Sequence, residues 1–239
     1  MHPDSPISAT LVCWGNAWLA GQVGLDEAAD RVERQAGPQV VAAESGDLPL
    51  RGFLADLRIG GMKSLRLALP VPGDPLGLTG PPPFNSAAIE AGQAATAVLG
   101  DRCLGLVPVK DHRGSSYAGV RWSVLEARAT APDLPSLADA EHELTRAMRV
   151  ATDALLGVGG PAQGHRQLKI TDDGLAPGYP ARAHRVAALA ARLAAVLRIA
   201  DERGLTSGQL AVRAEALREL DRAVRRARVV AHHAITELV

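Results

Sequence analysis

The sequence is poor in aromatic side chains, cysteine and lysine, and the first two shortages argue against particular classes of structure. Only seven of its 239 residues are aromatic, whereas 43 are alanine. A core built largely from Leu, Val and Ala suits closely packed helices better than a β-sandwich. Two cysteines, Cys13 and Cys103, are too few for a disulfide framework and lack the paired spacing of a zinc site.

Long apolar runs are also missing. None approaches the ~20 residues that span a bilayer, since the longest, residues 9–20, is interrupted by Gly15 and Asn16. No basic stretch precedes an apolar one near the first residue, which argues against a signal peptide. We therefore expect a cytoplasmic protein with reduced thiols that makes no membrane contact. Arginine outnumbers lysine by 23 to 3, and because Arg and Ala codons are GC-rich, we expect a high-G+C bacterial source.

Residues 1–130 predict a sheet domain that begins with two helices. Helical spacing of apolar residues predicts helices over 8–20 and 25–35. Later segments alternate between strands at 39–43, 65–69, 102–109 and 118–127, and helices at about 50–59 and from 85 to about 99. This order predicts an α+β (mixed α/β) fold class, with a small, mostly parallel or mixed sheet and helices packed on it.

Residues 136–239 predict a helical region, with helices over 136–157, 181–203 and 207 to about 237. Apolar residues recur every seven positions along the last helix, in two series. The short connection at Gly204 predicts an antiparallel hairpin or coiled coil, or a three-helix bundle that includes the helix at 136–157. The two series are Leu210, Leu217, Val224, Ala231 and Leu238, and Leu220, Ala227 and Ala234; the residues expected to be buried are Leu193, Leu197, Leu217, Leu220 and Val224.

Sequence signatures of catalysis are scarce: no G-x-S-x-G, H-E-x-x-H, phosphate-binding or dinucleotide-binding motif is present. The densest polar segment, residues 110–117, joins two predicted strands, and its Lys110, Asp111 and His112 could supply acid–base chemistry. Arg113 beside them is a candidate binding residue. The competing interpretation is a solvated hairpin turn. We expect no metal and no cofactor, and the evidence for an enzyme is weaker than the evidence against one.

Charge is unevenly distributed along the chain, although its formal net charge is zero. Residues 1–60 carry a net charge of −4 and residues 182–239 a net charge of +5. Four arginines of the last predicted helix stand three or four residues apart and are the main binding candidates: Arg218, Arg222, Arg225 and Arg226. They could contact phosphates or an acidic partner, or simply form a solvated face with nearby acids. Zero net charge and few aromatics make nucleic acid the least favoured partner.

Two stretches, WGNAWLAG at residues 14–21 and the segment 65–85 with LPVPGDPLG at residues 69–77, resemble an uncharacterised conserved family of high-G+C Gram-positive bacteria. The resemblance covers roughly the first 130 residues. It implies a source but no activity, and it supplies no catalytic residues.

Three functions remain open. The first is a non-catalytic interaction or scaffold protein that binds a protein partner, or another copy of itself, through the C-terminal helical hairpin. The second is a small-molecule-binding protein or enzyme whose site lies near the loops at 70–84 and 110–117, because ligands bind at strand ends in open sheets. The third is weak nucleic-acid binding through the arginines of the last helix.

Overall fold

The computed structural model describes residues 5–43, 46–100, 102–113, 117–156, 174–201 and 210–236. Within them lie seven helices and six strands. The helices are α1 (Ile7–Leu19), α2 (Leu25–Ala36), α3 (Leu50–Ile59), α4 (Pro82–Ala91), α5 (Leu137–Leu156), α6 (Ala181–Asp201) and α7 (Leu210–His233). The strands are β1 (Gln39–Ala43), β2 (Gly46–Pro49), β3 (Met62–Ala68), β4 (Ala94–Leu99), β5 (Arg102–Arg113) and β6 (Tyr117–Ala127). The α+β fold class is confirmed.

The chain divides into two compact units. One comprises Met1–Leu134, Leu175–Pro180 and His232–Val239, and the other comprises Pro135–Gly174 and Ala181–Ala231. We call them the sheet unit and the helical unit. In the part of the chain that the structure describes, no helix is both long and apolar enough to cross a membrane.

The sheet is mixed, with the strand order β2-β1-β6-β5-β4-β3. Its strands are mainly antiparallel: only β1 and β6 run parallel, and the other four neighbouring pairs are antiparallel. The expectation of a mixed sheet is therefore confirmed, and a mostly parallel one is not what formed. The short β2, which the sequence did not predict, pairs with β1 as an antiparallel edge strand.

The two faces of the sheet are covered by different helices. On one face α1 packs against β3, β4 and β5. On the other face Phe84 of α4 lies in a buried cluster with Cys103 and Val107 of β5. Gly105 makes this packing possible, because a Cβ there would lie 2.3 Å from the Phe84 ring. Alternation along β5 accounts for the two-sided burial, since Leu106 between these residues is also fully buried.

The predicted helix from 85 to about 99 is wrong in its second half. α4 ends at Ala91, where Gly92 takes the left-handed conformation with φ +66°, and residues 94–99 form β4. Alanine favours helices, but β4 lies between β3 and β5, and its small side chains are almost completely buried there. Tertiary packing therefore overrides the local preference.

Charged contacts connect the helices of the helical unit. Arg182, at the start of α6, binds Glu141, near the start of α5, at 2.7 Å between Nε and Oε2. On α7, Arg226 acts electrostatically on Glu143, whereas Glu219 acts on Arg146. A later residue of α7 thus faces an earlier residue of α5, which orients these two helices antiparallel.

The last helix is continuous from Leu210 to His233 but ends before the predicted position near 237, since a turn follows at residues 234–236. Residues 202–209 and 237–239, which include the predicted connection at Gly204 and Leu238, lie outside the described residues. Leu220 and Val224 are buried as expected, but Leu193, Leu197 and Leu217 are only partly buried. From Ala227 to His232 every residue is buried, which is more than a seam of two positions per heptad would bury.

Candidate functional site

The polar segment at residues 110–117 is mainly strand rather than loop. β5 continues to Arg113, and β6 begins at Tyr117, so Lys110, Asp111 and His112 pair with residues 118–120. The predicted loop is longer than the actual one, because β5 and β6 continue to pair as far as Arg113 and Tyr117. Residues 114–116 and the side chain of Arg113 lie outside the described residues.

The strand geometry separates the proposed acid–base group. Successive side chains of a strand point to opposite faces, so Asp111 lies on one face of the sheet and Lys110 and His112 on the other. Lys110 and His112 are exposed. Asp111 and His112 therefore do not converge on a pocket. Among the described residues, no three His, Cys, Asp or Glu side chains are grouped so that they could hold a metal ion.

The predicted Pro/Gly loop at 70–84 ends at residue 81, because α4 begins at Pro82, and it packs against the strand before it, β3. Leu69 N donates to Leu76 O at 3.2 Å, which folds the loop back along β3. Gly77 has φ +85°, and a Cβ there would lie 2.8 Å from Leu67 O, so only glycine fits this close approach. Further along the loop, Gly80 N donates to Asn85 Oδ1 at 3.0 Å. These contacts give the loop a structural role at the sheet edge.

Of the four candidate arginines of α7, three are exposed and one is largely buried. Arg218, Arg222 and Arg226 are exposed and follow one another at four-residue spacing on one side of the helix. Arg225 is different: its side chain is 14% exposed, and its Nε donates to Asp221 Oδ2 at 2.8 Å. We call Arg218, Arg222 and Arg226 the arginine row of α7.

A second basic surface, which the sequence reasoning did not single out, lies on α6. Residues 181–200 contain four arginines and no Asp or Glu. Arg185, Arg192 and Val196 fall within ~40° of one another at 100° per residue, on the side away from the buried Ala183 and Ala190. Both arginines are exposed, and Val196 is 44% exposed. We call Arg185, Arg192 and Val196 the outer face of α6.

A groove of about 280 Å³ lies between α5 and α7 in the helical unit. Its polar lining includes His142, Glu143 and Arg226. A hydrogen bond from Arg146 lowers the pKa of Glu143, with His142 and Arg226 acting in the same direction. Glu143 is therefore engaged by its own neighbours in the groove.

Sequence reasoning also missed a buried polar network at the edge of the sheet. Asn16 of α1 binds both backbone groups of Leu65: its Oδ1 accepts from Leu65 N at 2.7 Å, and its Nδ2 donates to Leu65 O at 2.8 Å. His233 at the end of α7 accepts from Leu67 N through Nε2, also at 2.7 Å. The sequence signal was an asparagine inside an apolar helix, but nothing indicated its partner 49 residues away.

Tyr179 extends this network to the end of α7. Its hydroxyl donates to His232 O at 3.0 Å and lies 3.4 Å from Cys13 O. Ala176 N donates to Cys13 Sγ at 3.0 Å. Burial, with Cys13 adding to it, raises the pKa of Tyr179 well above 10, so the phenol stays neutral and donates.

Comparison with known proteins identifies similarity along both units. A family model for the N-terminal domain of Rv1486c-like proteins matches residues 8–136, and a model for their C-terminal domain matches residues 138–229. An uncharacterized protein of Mycobacterium tuberculosis, Rv1486c, is 29% identical over an alignment that covers 95% of this chain and 96% of that protein. An uncharacterized protein of Mycobacterium avium is 29% identical over 64% of this chain and 61% of its own length. No solved structure matches the chain.

Proposed function

We propose a function for this chain from the premise that it belongs to the family of Rv1486c-like proteins. The family is a conserved actinobacterial one, as the motifs at residues 14–21 and 65–85 predicted, and it has no assigned activity to transfer. The chain is a non-catalytic interaction protein. It binds an acidic protein partner through the outer face of α6, with the arginine row of α7 as a second contact. We also propose that it acts in the cytoplasm.

The observation that carries this proposal is the composition of the outer face of α6. Exposed arginines at 185 and 192 lie on the same side of the helix as the exposed Val196, and the helix has no carboxylate within residues 181–200. An exposed aliphatic side chain beside exposed guanidinium groups suits a partner that supplies apolar side chains and carboxylates. Arginine pairs with carboxylates in a planar, bidentate geometry, which adds orientation to attraction.

The arginine row of α7 supports the same partner class less strongly. Arg218 already binds Glu215 at 2.7 Å, between Nη2 and Oε2, so part of its charge is compensated within the helix. Exposed pairs of this kind contribute little to stability, so a partner's carboxylate can compete for the guanidinium at low cost. We therefore expect the row to steer binding and make it sensitive to salt.

A partner of different sequence fits better than a second copy of the chain. The chain's own acidic helix, α2, is already paired: Arg51 binds Asp26 and Asp30, and Arg31 lies 3.9 Å from Glu27. A second copy would thus offer acids that already have arginine partners, so it gains less from the outer face of α6 than a partner with unpaired carboxylates does. Nucleic acid is less suitable because the outer face of α6 carries an exposed valine and no aromatic side chain for base stacking.

The enzyme hypothesis receives no support from the geometry. Its acid–base candidates were Lys110, Asp111 and His112, and Asp111 lies on the face of the sheet opposite to the other two. The loop at 70–84, the other half of that hypothesis, is engaged with β3.

Affinity capture with charge-matched variants tests the proposal. The tagged chain is incubated with extract of the cells that make it, and bound proteins are quantified by mass spectrometry. We expect an acidic partner whose recovery falls roughly fivefold to tenfold in the Arg185→Gln/Arg192→Gln variant, since each exposed charge pair contributes up to about 1 kcal/mol. Raising salt from about 50 mM to about 500 mM should reduce recovery further.

The control removes the same number of charges elsewhere. Arg34 of α2 and Arg149 of α5 are both exposed, so Arg34→Gln/Arg149→Gln changes the net charge equally. Equal losses in the two double variants would contradict a specific surface on α6. Recovery of the chain's own untagged copy as the main bound protein would contradict a partner of different sequence.

A further inference from the structure

Strand β3 forms one edge of the sheet, so one side of its backbone has no neighbouring strand. An unpaired strand edge is a template for other strands, and proteins cover such edges. Here the outward backbone N–H groups are satisfied at alternate residues by three different elements. Leu65 N donates to the Asn16 side chain, Leu67 N to the His233 side chain and Leu69 N to Leu76 O.

The first two of these hydrogen bonds can be compared directly, because they have the same kind of donor and the same length. Both join a β3 amide to a side chain of a helix, and both are 2.7 Å long. They differ in the acceptor: the Asn16 amide does not titrate, whereas the His233 imidazole does. Asn16 lies in α1, and His233 is the last residue of α7.

His233 can accept from Leu67 N only when Nε2 has its lone pair, which requires the neutral ring with its proton on Nδ1. Two charged or titratable groups act on it, Arg66 from β3 and His232 from α7, and both oppose a positive charge on the ring. Burial opposes that charge more strongly still. We infer that His233 is an acid-released latch that holds the end of α7 against β3 and closes this edge of the sheet.

Protonation of His233 breaks its hydrogen bond to β3. When His233 takes up a proton, Nε2 becomes a donor and faces the Leu67 N–H, so the bond is lost and His233 is released from β3. The Leu65 N–H stays covered by Asn16, because α1 does not titrate at this contact. Acid therefore opens the edge at Leu67 and leaves it closed at Leu65. This device is independent of the partner proposed for α6.

Amide hydrogen exchange of the intact chain, followed by NMR between pH 7 and pH 4.5, tests the inference. Opening frees His233 to titrate near its ordinary pKa of 6.5. The ratio of the Leu67 protection factor to the Leu65 protection factor should then fall about tenfold per pH unit below 6.5. Because both amides lie on the same strand, this ratio cancels any global loss of stability.

The variant His233→Gln supplies an acceptor that does not titrate, and in it the ratio should no longer depend on pH. Leu65 and Leu67 protection that falls in parallel in the unmodified chain would overturn the inference without any variant. A pH-dependent ratio that persists in His233→Gln would assign the effect to another group and would also overturn it.

Discussion

At the scale of single residues, the chain uses polar side chains to complete backbone hydrogen bonding. Asn16 and His233 each provide what a neighbouring strand would otherwise provide to β3. Such roles are hard to predict from sequence because each pair spans a long separation: Asn16 and Leu65 are 49 residues apart, and Leu67 and His233 are 166 apart. The sequence showed that Asn16 interrupts an apolar helix, and it showed adjacent histidines at 232 and 233, but no local pattern connected them.

The stability of the fold should depend on pH through His233. Burial lowers its pKa to about 3 in the folded chain, against 6.5 when it is exposed. Between these values the unfolded chain binds more protons, so the contribution of the neutral ring is complete above pH 6.5 and is lost as pH falls toward 3. Urea unfolding should show that the free energy of unfolding drops between pH 7 and pH 5 by up to about 2 kcal/mol more than in His233→Gln.

The two chains share every other titrating group, so their difference isolates this histidine. An identical drop in both would mean that His233 titrates alike in the folded and unfolded chains. That result would contradict a folded chain in which His233 stays neutral and accepts from Leu67 N.

At the scale of whole elements, the sequence predicted the type of those helices and strands that bury one face. It did not predict the type of a segment made mainly of small residues. The periodic spacing at residues 25–35 and in β3 indicated the correct element, because period and burial agree there. The Ala-rich segment of β4 has no such signal. Its conformation is decided by its place between β3 and β5 rather than by its own preference.

In α7 the heptad pattern of the sequence and the burial in the structure differ. A strict heptad assigns Leu217 and Leu220 equal places in the seam, but Leu220 is 5% exposed and Leu217 is only partly buried. Leu220→Ala should therefore cost about 2–5 kcal/mol of unfolding free energy, whereas Leu217→Ala should cost less than about 2 kcal/mol. Denaturant unfolding of the two variants, with circular dichroism to verify helix content, measures both. Equal costs would favour the uniform seam over the burial seen in the structure.

At the scale of the whole molecule, the sequence predicted the α+β class, the family resemblance and the helices of the second half. It did not single out the outer face of α6, the surface through which we propose that the chain binds its partner. The sequence drew attention to α7 because its arginines are closely spaced, yet Arg225 pairs with Asp221 and Arg218 with Glu215. Only the distribution of burial around α6 showed that Arg185, Arg192 and Val196 share one exposed side.

Site-specific photo-crosslinking in cells tests this surface most directly. Benzophenone is placed on the outer face of α6 at Val196, 44% exposed, and as a control at Ile59, a lone apolar residue on α3 that is 87% exposed. We expect one discrete adduct with an acidic protein at position 196, none at position 59, and loss of the adduct when Arg185→Gln/Arg192→Gln is added. No adduct at 196, equal adducts at both positions, or an adduct of two copies of the chain would contradict the proposal.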